Sequence, residues 1–257
     1  MFAKRPVAVV VPAFNEADKI VATLRSIPAF VDHVIVVDDA SQDNTAVLAA
    51  AVDRAGLEVH VHKQNSGVGA ALVTGYKRAF ALGAEITAVM AGDSQMDPHD
   101  LPNLVQAVVA GADYAKGNRF AYRGERASVW RQMPVSRLFG NVALSLFTKV
   151  ASGLWHVFDS QCGYTAANRR ALAVILSEAT FPRYGYPNDV LVRLSLGAAR
   201  VVDVPVRPVY GPAWRSGIRP TRVAIPILLL LIRGCVRRCK RRWASADSRQ
   251  PAWLSRR

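Results

Sequence analysis

Three residues at alternate positions could do metal chemistry: Asp93, Gln95 and Asp97, in the stretch MAGDSQMDP (Met90–Pro98) that directly follows the apolar ITAV. At the end of a β-strand, side chains at i and i+2 point to the same side, so Asp93 and Gln95 can converge on one hard cation. Magnesium commonly takes one or two protein carboxylates and completes its octahedron with phosphate oxygens and water, so two protein ligands suffice. The competing role for Asp93 is an N-cap on a helix that starts near Pro98.

Similar polar clusters follow other apolar runs. PAFNE comes after VAVVV, DDASQDNT after VIVV, and KQNSGVGAA after LEVHVH. The runs VAVVVPA, VDHVIVVDDA, LEVHVHK and AEITAV read as buried strands, and the segments between them, including GVGAALVTGYKRAFALG and a helix DNTAVLAAAVDRAG closed by Gly56, have helical spacing. This alternation predicts an α/β fold with a mostly parallel sheet and helices on both faces. In such sheets ligands gather at the carboxyl ends of the strands, which is where the four clusters fall. Asp38 has a competing role in capping the SQDNT turn.

The chain has 257 residues, 51% of them hydrophobic, enough for one large domain with a full core. Its net charge of +14 is unevenly spread: from Pro212 onward there are twelve Lys/Arg and one acid, so +11 lies in the final segment. The remainder is charged like an ordinary enzyme domain. Val223–Ile232 is ten apolar residues between arginines, too short to span a bilayer. The basic run RGCVRRCKRRW behind it suits an anionic membrane surface, and nucleic acid is not expected because no aromatic-interleaved basic pattern occurs elsewhere. Two units are expected, a domain over 1–211 and a basic, amphipathic, membrane-associating tail over 212–257. Cys162, Cys235 and Cys239 form no CxxC pair, which fits a reducing cytoplasmic setting, and Cys162 reads as small packing. The N-terminal apolar run is short of a signal sequence and reads as the first strand. His33, His60, His62, His99 and His156 lack partners at metal spacing, and His60 and His62 are expected to face solvent from one strand.

VVVPAFNE, VIVVDDASQDNT, NSGVGAALVTG, MAGDSQMDP, ADYAKGNRF and DSQCGYT occur in this order over Val7–Thr165, and VVDVPVRPVYG extends the likeness to Gly211. In them the chain resembles the family-2 glycosyltransferases of GT-A fold, in particular the branch that makes polyprenyl- and dolichyl-phosphate sugars. The resemblance implies inverting transfer of one sugar from a nucleoside-diphosphate sugar to a polyprenyl phosphate, on the cytoplasmic face of a membrane, with Mg2+ or Mn2+ as cofactor. Transfer to another lipid or small molecule, and non-catalytic nucleotide-sugar binding, are the alternatives.

By the same resemblance Pro12, Phe14 and Glu16 line the base and ribose pocket, and Asp39, with Asp38 beside it, hydrogen-bonds the base or ribose. Asp93 and Gln95 hold the metal. The family's Asp-x-Asp has an acid where this chain has Ala91, an absence for which Asp97 could compensate. Arg119 contacts the donor phosphates, a role suited to a planar fork of donors. Asp159 stands where the family places an acid beside the reaction centre and, with Asp93, is expected to be catalytic, its competing role being helix capping or packing; Asp189, near a later acidic motif, is the alternative acid. A phosphate monoester is already anionic near neutral pH, so Asp159 can orient rather than abstract a proton. Arg131, Arg137 and Arg219 are expected to receive the lipid phosphate, the first two, with Lys149, from an apolar helix, VWRQMPVSRLFGNVALSLFTKVASGLW, able to lie on the membrane or to pack as a core helix with solvated basic residues.

Overall fold

The structure, a computed structural model, describes residues 1–124, 135–209 and 220–247. Seven strands form one sheet in the order β3-β2-β1-β4-β6-β5-β7. They are β1 (Val7–Ala13), β2 (His33–Asp38), β3 (Leu57–Val61), β4 (Ile86–Val89), β5 (Tyr114–Asn118), β6 (Thr165–Asn168) and β7 (Val201–Pro205). β1 pairs in parallel with β2 and β4, β2 with β3, and β5 with β7, whereas β6 runs antiparallel between β4 and β5.

The VAVVV run is buried throughout because both faces of β1 are covered. Val7, Val9 and Val11 face a core shared with α1 (Ile20–Ser26), α2 (Thr45–Ala50) and α4 (Leu101–Val109). Val10 faces the opposite core with α3 (Val68–Ala81), α6 (Arg169–Leu176) and α7 (Tyr186–Leu196). α3 lies so close to β1 that a Cβ on Gly75 would stand 2.2 Å from Val10 Cγ1. The first helix of the second half, α5 (Val135–Ser152), and the last, α8 (Pro220–Asp247), pack on each other and on α7.

α2 spans only Thr45–Ala50, shorter than the helical pattern up to Gly56 suggests. Gly56 instead takes a left-handed φ of 72°, in the turn into β3. The apolar segment Val223–Ile232 and the basic run after it form one helix of 28 residues, α8, which contains Pro226. Ile227 and Leu231 pack against Ala151 and Val192, so one face of this helix belongs to the domain core. The expected boundary at 211/212 falls outside the described residues.

Candidate active site

The polar rim is built where β1, β2 and β4 end. Asp39 N–H donates to Ala13 O at 2.9 Å and Gly92 N–H to Pro12 O at 3.1 Å, which keeps the three strand exits side by side. The loop after β1 is laced to the loop after β2. Asn15, left-handed at φ 55°, accepts from Gln42 N at 2.8 Å, and Glu16 N and Ala17 N donate to Thr45 Oγ1 and Asp43 Oδ2 at 2.8 and 3.1 Å. The DNT residues thus fix the backbone that carries Phe14 and Glu16.

The two neighbouring aspartates diverge. Asp38 turns into its own loop, accepting from Ser41 N at 3.0 Å and from the Ser41 hydroxyl. Asp39 accepts from Ser66 N at 2.9 Å, Gly67 N at 2.6 Å and the His62 ring at 2.8 Å, while His62 Nε2 meets Thr74 Oγ1 at 3.0 Å. His62 is therefore not the solvent-facing histidine that strand alternation suggests: it buttresses Asp39, with its side chain only 18% exposed. His62 stands just past β3; His60, within it, pairs with Glu58 at 3.1 Å. Asp39, Pro12 and Phe14 line a cavity of about 320 Å3, together with Asn65, Gly67, Val68, Arg183 and Tyr184. Glu16 does not line it.

β4 ends at Val89, four residues before Asp93, so strand alternation does not place Asp93 and Gln95. They sit in a turn with Ser94 left-handed at φ 59°, in which Asp93 Oδ1 accepts the Gln95 N–H at 3.0 Å. Thr23 holds this turn through Gly92 O at 3.2 Å and Ser94 Oγ at 2.8 Å. Burial raises the Asp93 carboxyl above its ordinary value. It also raises Glu16, with Asp93 adding repulsion and Lys19, 3.3 Å away, opposing it. Two hard oxygen donors disfavoured as anions by burial are a suitable seat for a divalent cation, which would restore their charge. Among the described residues there is no cluster of three or more acidic, histidine or cysteine ligands, so substrate oxygens and water would complete the shell.

Asp97, not Asp93, caps the helical turn at Pro98, accepting from His99 N at 3.0 Å. Its Oδ2 lies 3.1 Å from Arg207, and it is 8% exposed, so it does not replace an acid at position 91.

Arg119 and Asp159 meet in a two-pronged pair. Arg119 Nε donates to Oδ2 at 2.7 Å and Nη2 to Oδ1 at 3.0 Å, and the Arg119 backbone N–H adds 3.2 Å. Asp159 is fully buried. Burial alone would raise its carboxyl, but Arg119 and then Lys116 hold it below the usual value. A carboxylate so held orients the arginine and is a poor base. Beneath the pair lies a charged cluster with no sequence signal: Lys116, 1% exposed, donates to Cys162 O, and Asp203 accepts from Asn118 Nδ2 at 2.6 Å and Phe158 N at 3.0 Å. Cys162 is buried beside them, as packing predicts.

Asp189 lies elsewhere, accepting from Phe181 N and Arg193 Nε, each at 2.9 Å. Of the three arginines expected to bind the acceptor, Arg131 and Arg219 lie outside the described residues. Arg137 falls in α5, with its side chain outside what is described.

Among solved structures, the chain matches glucosyl-3-phosphoglycerate synthase from Mycobacterium tuberculosis, in complex with Mn2+, UDP-glucose and phosphoglyceric acid, at TM-score 0.66 and 25% identity over 91% of this chain and 80% of that one. Relatives include the UDP-N-acetylglucosamine–dolichyl-phosphate N-acetylglucosaminyltransferase of Methanococcus voltae, 28% identical over 81% of this chain and 87% of that protein. The polyprenol monophosphomannose synthase of Mycolicibacterium smegmatis is 30% identical over 77% of this chain and 75% of that one. The model of glycosyl transferase family 2 matches residues 8–176, the segment that carries β1 to β6 and every site residue from Pro12 to Asp159. The chain belongs to glycosyl transferase family 2 and is a glycosyltransferase of GT-A fold.

Proposed function

We propose that this enzyme transfers one sugar, with inversion, from a nucleoside-diphosphate sugar to a polyprenyl phosphate at a membrane surface. The observation that carries the lipid acceptor is the double role of α5. Its Ser145 meets Ser160 at 3.2 Å and its Lys149 lies 4.8 Å over the Phe158 ring, so it packs on the segment that holds Asp159. Its other face is apolar and open: Phe139, Leu146, Phe147 and Val150 are exposed, with Trp155 just beyond. α8 repeats the pattern with Ile225, Leu228, Leu229, Ile232 and Val236 exposed, followed by exposed Arg237, Lys240 and Arg241. Two neighbouring helices with open apolar stripes and a basic flank suit the interface of an anionic bilayer. Among the described residues no helix is long and apolar enough to cross a membrane.

In this reading the acceptor phosphate oxygen attacks the anomeric carbon as the bond to the nucleoside diphosphate breaks, the electron pair leaving with the diphosphate. The attacking oxygen is already anionic, so no strong base is needed, which agrees with an Asp159 committed to Arg119. Arg119, aimed by Asp159, stabilises the charge that gathers on the donor phosphates. Asp93, with Glu16 nearby, would hold Mg2+ or Mn2+, whose chemistry is to polarise the diphosphate as a leaving group.

A second reading, a water-soluble phosphorylated acceptor, has in its favour the name of the matching solved structure, a synthase of glucosyl-3-phosphoglycerate. Release of nucleoside diphosphate from UDP-glucose, UDP-N-acetylglucosamine and GDP-mannose, measured with polyprenyl phosphate, with 3-phosphoglycerate and with neither, separates the two. Turnover that depends on polyprenyl phosphate is expected. Turnover with phosphoglycerate but not with the lipid would overturn the lipid reading.

A further inference from the structure

The glycines of NSGVG make room for a distant segment. Gly67 is left-handed at φ 94°, and a Cβ on it would lie 2.5 Å from Pro182 O and 2.8 Å from Arg183 Cγ. On Gly69 it would lie 2.3 Å from Phe181 O. No side chain fits at either place, and the vacated space lets residues 181–183 lie across the start of α3. Pro182 O accepts from Gly69 N at 2.8 Å and Ala70 N at 3.2 Å. From the other side Asp189 holds Phe181 N, and Arg193, itself paired to Asp189, donates to Ala179 O at 2.5 Å. The segment between α6 and α7 is thus pinned at both flanks, and it presents Arg183 and Tyr184 to the cavity that Asp39 and Phe14 line.

What these two residues face is set by what the cavity leaves out. Asp93, Glu16, Arg119 and Asp159, the groups suited to a metal and a diphosphate, do not line it. The cavity therefore corresponds to the nucleoside half of a donor. Two half-exposed aromatic rings, Phe14 at 43% and Tyr184 at 42%, border it, an arrangement suited to a flat ring. Arg183 has no carboxylate within ion-pair distance among the described residues, which leaves its guanidinium available for acceptors on a ligand.

We propose that Arg183 and Tyr184 select the donor's nucleobase: Tyr184 and Phe14 hold the base between them, and Arg183 donates to its carbonyl edge beside Asp39. Asp189 and Arg193 are positioning residues that hold this wall against α3. The inference rests on the nucleotide-sugar reading and adds to it the residues that read the base.

The test is equilibrium binding of UDP and GDP, and of uridine and guanosine by competition, to the full chain and to Tyr184→Ala, Tyr184→Phe, Arg183→Ala and Asp189→Asn. Loss of one stacking partner weakens binding on the order of tenfold, so Tyr184→Ala should show that loss and Tyr184→Phe should stay within about twofold of the native chain. Arg183→Ala should weaken the nucleoside and its diphosphate by the same factor, because the contact is to the base. Asp189→Asn should weaken both as well, with an unchanged far-ultraviolet circular dichroism spectrum, because it loosens the wall without touching the ligand. Native affinity in Tyr184→Ala and Arg183→Ala, in a chain that binds nucleotide, overturns this inference alone. A loss in Arg183→Ala confined to the diphosphates moves Arg183 to the phosphates and likewise overturns it. Failure of the native chain to bind any of the nucleotides overturns both this inference and the donor reading beneath it.

Discussion

Replacing Asp159 by asparagine separates two roles that a buried acid at a reaction centre can have. If Asp159 orients Arg119, the substitution leaves a largely buried guanidinium, 15% exposed, with a neutral partner and takes from Lys116 one of its two nearby carboxylates, Asp203 being the other. Removing one partner of a buried ion pair costs about 3–5 kcal/mol. For a domain of this size each kcal/mol lowers the melting temperature by about 2–4 °C, so Asp159→Asn should melt on the order of 10 °C below the native protein. The pH dependence carries the sign. The carboxyl is held below its reference value of 3.8, so its contribution to stability is complete above that value and is lost as pH falls through the lower folded-state value. The native protein should therefore lose this increment only in strong acid, and Asp159→Asn should lack it at every pH. Urea unfolding of Asp159→Asn, Arg119→Gln and the double variant measures the coupling: the double variant should be more stable than the sum of the single losses predicts. Turnover should fall in all three. An Asp159→Asn protein as stable as the native one, yet inactive, would refute the reasoning and identify Asp159 as a base.

Asp93→Asn removes a carboxylate that burial disfavours while keeping the acceptor for Gln95 N, so the variant without ligand should melt at or above the native temperature; the native protein is expected to be stabilised by UDP with Mn2+, and the variant to lose that stabilisation, as read by differential scanning fluorimetry. Phe147→Ser with Leu229→Ser, both on exposed apolar positions, should leave the fold and nucleotide binding unchanged and reduce co-sedimentation with anionic vesicles severalfold; undiminished sedimentation would place the membrane contact elsewhere.

Much of the frame is legible in the sequence because its signals are local. VAVVVPA and GVGAALVTGYKRAFALG carry their periods within one element, and both form near the expected bounds. The insertion of β6 between β4 and β5 is not legible, since TAAN has neither length nor alternation and its place is decided by pairing with distant strands. The site divides in the same way. Which residues follow each strand can be read directly, but what each side chain meets cannot: Asp39 is spoken for by Ser66 and Gly67, and the wall of its cavity arrives from Arg183 and Tyr184. Inferring the Asp93–Gln95 relation from alternation fails for a definite reason: the strand stops at Val89, and a left-handed Ser94 sets the geometry afterwards.

The distribution of carboxylates along the rim explains why so few remain for a cation. Asp38, Asp39, Asp43 and Asp97 each accept backbone N–H groups of the loops they stand in or beside, which fixes four strand exits and uses up their charge locally. Asp43 and Asp97 are held below the usual carboxylate value even against burial, Asp43 by the Thr45 hydroxyl and then the Thr45 and Ala17 N–H groups, Asp97 by the His99 N–H and ring. Asp93 and Glu16 go the other way, raised by burial and, for Glu16, by Asp93 itself. A rim that ties its structural carboxylates into backbone hydrogen bonds leaves Asp93 and Glu16, raised by burial with Lys19 as the opposing charge, as the candidates for holding a cation. An acid at position 91, two residues from Asp93, would add a further negative charge near a carboxyl that burial already disfavours as an anion. On the proposed metal-dependent reading, Ala91 spares the ligand-free state that charge, and phosphate oxygens and water would complete the cation's shell.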